Sequence, residues 1–208
     1  TPDPLMLFAF PMQDTECLEI LHAESLALQQ IVIQSSTKEG FRAVQRTTIS
    51  ITRSADKMES LASVSMRQRM IGLVIICIQS ASLVLVQHCN GRPSSTSIDW
   101  ALKYVTLAES LLLSGVFDFA HFVEMKAYAR LLRALCHSAQ SQDHKAIQVL
   151  SEAVVQLALE NRPGVHAVML LNMSTFMSKL GSHRQAFEAS EAAWLILQDK
   201  TCHKKDDD

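Results

Sequence analysis

Residues Val165–Leu197, VHAVMLLNMSTFMSKLGSHRQAFEASEAAWLIL, decide the fold of this chain. Apolar or small side chains recur there mostly every three or four positions, the spacing that places residues on one face of a helix. They are Val168, Leu171, Thr175, Leu180, Ala186, Ala189, Ala193 and Leu197. Gly181 interrupts the pattern, and glycine readily takes the left-handed conformation that ends many helices. The stretch therefore predicts two amphipathic helices packed back to back across a tight turn at Gly181.

The same pattern extends toward the N-terminus, where turn and capping residues separate further helical segments. The predicted helices cover residues 14–36, 38–53, 56–88, 98–113, 118–138, 143–159, 165–180 and 183–198. Asn161, Arg162, Pro163 and Gly164 are predicted to close the helix 143–159. We therefore predict an all-α protein with three parts. Residues 1–90 form an N-terminal helical segment, residues 91–200 form helical hairpins, and residues 201–208 form a charged tail.

Composition agrees with a packed helical protein and excludes some classes of function. Glycine (6) and proline (5) are scarce while 48% of the residues are hydrophobic, which argues against a disordered or β-rich chain. A net charge of −2 gives no electrostatic basis for direct nucleic-acid binding. Five cysteines without regular spacing indicate reduced thiols, so we expect an intracellular protein, cytoplasmic or nuclear. Because the first residue is threonine, we expect an excerpt of a longer protein or a processed product.

Residues 70–86, MIGLVIICIQSASLVLV, form the most apolar segment and allow two interpretations. A membrane span needs about 20 predominantly apolar residues. This segment is shorter, and Gln79, Ser80 and Ser82 lie in its middle. We favour a buried central helix, and we keep a membrane-associated helical protein that uses residues 70–86 as the alternative.

A weak internal repeat centres on alanines at the start of alternate helices, Ala101, Ala146 and Ala186. It resembles the tetratricopeptide repeat family, whose 34-residue hairpins carry small residues at fixed positions and a glycine at the turn. With Gly181 at the turn, Ser174, Ala186 and Ala193 match the small positions, and Leu170, Met173 and Met177 match the large apolar ones. The resemblance implies antiparallel hairpins stacked as an α-solenoid. The steps between the alanines exceed the family's period, so longer helices or loops are expected.

The resemblance also implies a binding groove lined by the first helix of each hairpin. Residues 118–138 carry a stripe of basic side chains spaced four, three and four apart, which places them along one side of a helix. They are Lys126, Arg130, Arg133 and His137. Asn172 falls where the family often places an asparagine that binds the backbone of a ligand. These five residues could hold an acidic peptide or helix, and an ordinary solvated face is the competing interpretation.

The sequence shows no signature of catalysis, of a cofactor or of metal binding. It has no paired CxxC, no HExxH, no GxSxG and no phosphate-binding glycine loop. Cys77 and Cys136 fit small core residues better than ligands. Met169, Met173 and Met177 are four residues apart, and we expect them to fill the core between hairpins. We therefore predict no catalytic or metal-binding residues and no cofactor.

Together these observations predict a non-catalytic protein-protein interaction scaffold or adaptor, a subunit of a larger complex. Its partner would be a protein segment bound in the groove. Direct binding to nucleic acid or to a membrane is not expected. A helical enzyme is the remaining alternative from another class of protein, and it would require polar groups clustered in a pocket.

Overall fold

The fold is known from a computed structural model, which describes residues 64–87, 94–113 and 122–203 together with six helical positions before them (38–39, 41–42 and 45–46). Within these residues the chain forms six long helices and no strand, which confirms the all-α prediction. They are α1 (Val64–Gln87), α2 (Ser95–Leu113), α3 (Phe122–Ala139), α4 (Asp143–Leu159), α5 (Pro163–Lys179) and α6 (His183–His203). The helix predicted at residues 14–36 and the domain boundary predicted near residue 90 lie outside the described residues.

The chain divides into two compact units, Thr1–Phe117 and Asp118–Asp208. In the first unit α1 packs against α2. Side chains on nearly every side of α1 between Leu73 and Leu85 are buried, including Ser80 and Ser82, as the prediction of a buried helix requires. Among the helices that the structure describes, none has the combination of length and apolar character needed to cross a membrane.

In the second unit each helix packs against the next one along the chain, and α3 also contacts α5. Alanines hold the helices close together. Ala146 and Ala153 on α4 and Ala193 on α6 are at most 2% exposed, and Ala186 is 8% exposed. Because alanine adds only a methyl group, a neighbouring helix can approach the backbone closely at these positions.

The three turns of the second unit have the same geometry. Each contains a residue with positive φ, at positions 141, 161 and 181, which are twenty residues apart. In each, an N–H group donates to the carbonyl oxygen five residues earlier: Gln142 to His137 (2.8 Å), Arg162 to Leu157 (3.0 Å) and Ser182 to Met177 (3.0 Å). This is the bond that closes a Schellman motif and satisfies the last carbonyl groups of a helix. The two helices that lie between these turns, α4 and α5, are both 17 residues long.

One turn differs from its sequence prediction. Pro163 and Gly164 open α5 instead of closing α4, and Arg162 is the residue that caps α5. Proline suits the first turn of a helix because its fixed φ is already helical and its missing N–H group would have had no partner there. Glu160 and Asn161, with φ of 51° at Asn161, end α4 instead.

The buried face of the hairpin α5–α6 is also rotated from the predicted one. Leu171 is 44% exposed and Leu197 is 40% exposed, and Thr175 is exposed as well. The residues that are buried on α5 are Ala167, Met169, Leu170 and Phe176. The prediction was correct for Ala186 and Ala193, and for Met169, which is fully buried. Apolar residues occur around most of α5, so spacing alone does not select the buried face.

Gly181 allows a direct test of the repeated turn. Its φ is +77°, and a Cβ atom added there would meet nothing within 4 Å. Gly181→Ala should therefore lower the free energy of unfolding by about 1 kcal/mol through the left-handed backbone alone. Asn161→Gly should raise it slightly, since Asn161 has a similar φ of 51° without being glycine. Urea unfolding measures both, and equal effects of the two changes would contradict the role given to φ.

Candidate functional site

The predicted basic stripe lies along α3, and each of its four side chains is half-buried. Two of these side chains contact residues outside α3. Arg130 contacts α4, and His137 contacts the turn between α3 and α4. The Nη2 atom of Arg130 lies 3.2 Å from the Glu152 carboxylate on α4, and Arg130 is 20% exposed. The Nδ1 atom of His137 lies 3.3 Å from the Oε1 atom of Gln142 in the turn before α4. The stripe therefore runs beside α4, and part of its hydrogen-bonding capacity is used within the chain.

Asn172 lies on α5, the helix that neighbours α3. Its Nδ2 atom donates a hydrogen bond to the carbonyl oxygen of Val168, one turn earlier in the same helix, at 2.8 Å. This bond fixes the orientation of the side-chain amide and uses one of its donors. The structure thus places Asn172 on a helix adjacent to the basic stripe, with its amide held by its own backbone.

Polar contacts at both ends join α3 to α5. Near their N-terminal ends, the Nη1 atom of Arg162 lies 3.7 Å from the Oε1 atom of Glu124, which is in the first turn of α3. Near their C-terminal ends, the ammonium group of Lys179 donates to the hydroxyl oxygen of Ser138 at 2.7 Å. Because the contacts join the two N-terminal ends and the two C-terminal ends, α3 and α5 lie side by side and parallel. Two successive hairpins are therefore aligned in the same direction.

Ser138, Asp143 and Lys179 form a polar cluster that the sequence interpretation missed. The Ser138 hydroxyl donates to the Asp143 carboxylate at 2.6 Å while it accepts from Lys179. Lys179 also lies 3.9 Å from the same carboxylate oxygen. A serine nucleophile needs a base that takes its proton and a lone pair directed at substrate. Here Ser138 is 9% exposed and its hydroxyl oxygen accepts from a cation that also lies beside the carboxylate, so the arrangement fits a structural link between helix ends.

Only part of this cluster has a local sequence signal. Ser138 and Asp143 are five residues apart, and the sequence predicts a helix that ends at one and a helix that starts at the other. Lys179 is 41 residues from Ser138, and nothing in the local sequence connects them. Asp143 is in the first turn of α4, where a carboxylate is favoured by the partial positive charge of a helix N-terminus.

The two described free cysteines, Cys77 and Cys136, are both buried, as predicted. Burial raises the pKa of each thiol to about 12, and at Cys136 the nearby Arg133 opposes this increase. A thiol must lose its proton to act as a nucleophile or a metal ligand. Within the residues that the structure describes, no three histidine, cysteine, aspartate or glutamate side chains are grouped so as to hold a metal ion.

Comparison with known proteins adds no family assignment. No model of a known protein family matches the sequence. Neither the curated proteins nor the solved structures contain a significant match.

Proposed function

We propose that residues 118–203 form tetratricopeptide-like hairpins stacked as a short α-solenoid, and that the protein is a non-catalytic interaction scaffold or adaptor subunit of a larger complex. The observation that carries this proposal is the parallel alignment of α3 with α5. In a stack of equivalent hairpins the first helices lie side by side and parallel, with the second helices behind them. The links from Arg162 to Glu124 and from Lys179 to Ser138 support this order.

The small residues support the same repeat at a longer period. In the tetratricopeptide pattern, small residues are separated by twelve and then seven positions. The series Ala134, Ala146 and Ala153 has these separations, and so has Ser174, Ala186 and Ala193. The two series are 40 positions apart, which is twice the twenty-residue spacing of the turns. Five of the six residues are buried, and Ser174 is half-buried.

The basic stripe on α3 is the proposed contact for an acidic partner segment. The ion pair of Arg130 with Glu152 does not prevent such binding, because the Glu152 side chain is 67% exposed. The Glu152 carboxylate can therefore turn into solvent while a partner carboxylate takes its place beside the half-buried Arg130. A guanidinium group also binds a carboxylate through two parallel hydrogen bonds, which gives the contact directional specificity.

The test reverses two charges of the stripe with Arg130→Glu and Arg133→Glu. Affinity purification with cross-linking identifies proteins bound to the full chain and the helices that they touch. We expect partners cross-linked to α3 and α5 to be lost from the double variant by about tenfold or more, since two attractive contacts become repulsive. Circular dichroism checks that the fold persists.

The matched control applies the same change of charge elsewhere on the second unit. Lys145→Glu and Arg184→Glu reverse two exposed cations, and the Arg184 side chain is 92% exposed. Partners should remain bound to this variant. If the stripe variant keeps the same partners as the control while folding normally, the stripe is only a solvated face and the proposed groove is wrong.

A further inference from the structure

The final described helix, α6, carries large apolar side chains that are exposed on one side. We define the α6 outer face as Phe187, Ser190, Trp194 and Leu197, which are spaced three, four and three apart and so share one side of the helix. Phe187 is 67% exposed, Trp194 is 60% exposed and Leu197 is 40% exposed. A tryptophan and a phenylalanine exposed on the same side are typical of a protein contact surface.

The corresponding residues of α4 are buried or half-buried. Positions 40 residues before the α6 outer face are Ile147, Leu150, Val154 and Leu157. Leu150 and Leu157 are fully buried, and Ile147 and Val154 are half-buried. Val154, the counterpart of Trp194, packs against the cluster of Ala167, Leu170 and Ala193, in which Ala167 and Leu170 belong to α5. The same side of the repeating unit is thus an interior contact on α4 and an open surface on α6.

We propose that the α6 outer face binds an amphipathic helix from another polypeptide, in the position on α6 that α5 has on α4. This inference concerns a different surface from the basic stripe and does not depend on an acidic partner. It continues an interface already present in the chain, because α4 and α6 follow turns of the same geometry and have buried alanines at equivalent positions.

The chemistry of the bound helix follows from α5. Val154 packs against a cluster that contains Ala167 and Leu170 of α5, a small residue and a leucine three positions later. Trp194 is much larger than valine, so the bound helix needs small residues at both of these positions to avoid overlap. Ser190 stands where α4 has Leu150, and a large apolar residue of the partner can fill the space that serine leaves.

The test uses a synthetic peptide of residues 159–182 in which Leu170 is replaced by alanine, with the full chain as receptor. The chain has two tryptophans. Trp100→Phe leaves Trp194 as the only fluorescent indole, whose emission should shift to shorter wavelength when the peptide covers it. Phe187→Asp in the same background should weaken peptide binding at least about tenfold, because it replaces an aromatic side chain of the apolar contact with a charge.

Leu159→Asp is the matched control, since Leu159 is also exposed (83%) but lies on α4. This variant and the Arg130→Glu, Arg133→Glu variant should both bind the peptide normally. The test of the α6 outer face is therefore independent of the test of the basic stripe. The proposal is overturned if the peptide leaves Trp194 emission unchanged, or if Phe187→Asp and Leu159→Asp weaken binding equally. It is also overturned if emission shifts with protein concentration alone, because a second copy would then cover the face.

Discussion

Phe176→Ala should lower the free energy of unfolding of the second unit by about 3–5 kcal/mol, the usual cost of removing a buried phenylalanine ring and leaving a cavity. Phe176 is 2% exposed near the C-terminal end of α5. Its ring also lies 5.7 Å below the ammonium group of Lys179, which donates to Ser138 on α3. The substitution therefore removes packing in the core. It also removes the ring that lies against Lys179, the residue that joins α5 to α3.

Phe187→Ala is the matched control, since it makes the same chemical change on α6 at a side chain that is 67% exposed. We expect it to change the free energy of unfolding by less than about 0.5 kcal/mol. Urea unfolding followed by Trp194 fluorescence in the Trp100→Phe background reports on the second unit separately. If Phe176→Ala fails to fold, Phe176→Leu provides a milder change with an expected loss of about 1–2 kcal/mol. Equal losses in the free energy of unfolding for the two phenylalanine-to-alanine changes would mean that Phe176 is not part of the buried core.

Helix boundaries could be predicted from the sequence wherever the signal was local. The helix 143–159 was predicted at its observed limits because turn residues flank it on both sides. Gly181 was identified for the same reason, and its φ of +77° confirms the predicted turn. The start of α5 was misread because proline and glycine mark both the end of one helix and the beginning of the next. Only the φ values and the hydrogen bonds of the turn distinguish these two cases.

The rotation of α5 about its axis could not be predicted because it depends on packing against three neighbouring helices, α3, α4 and α6. Leu170 and Leu171 are adjacent and chemically identical, yet their exposed fractions are 8% and 44%. Helical periodicity allows either residue to face the core when apolar side chains surround the helix. Leu170 lies in a cluster with Ala193 of α6, against which Val154 of α4 also packs, so these contacts favour Leu170. The link between Lys179 and Ser138 was missed for a related reason, since it joins residues distant in sequence.

The predicted binding residues show how far the sequence can lead to a site. The spacing of Lys126, Arg130, Arg133 and His137 correctly placed them on one side of α3. It did not indicate that Glu152 and Gln142 contact this stripe, because these residues come from the following helix and turn. Whether a partner binds there depends on competition between its carboxylates and Glu152. Charge reversal tests that competition, and sequence patterns do not.

Cys77 and Cys136 should react with iodoacetamide at pH 8 about a thousandfold more slowly than the thiol of glutathione. Burial raises the pKa of each from 9.0 to about 12, a difference of three units, so the reactive thiolate is about a thousandfold less populated. Because the folded pKa is the higher one, the buried neutral thiols favour folding below about pH 9, and this contribution is lost as pH rises toward 12. Mass spectrometry of the peptides containing residues 77 and 136 measures the rates, and denaturation in urea should restore them. Rapid alkylation of native Cys136 would show that its thiol is accessible and ionised, and would revive the catalytic or ligand role that its burial argues against.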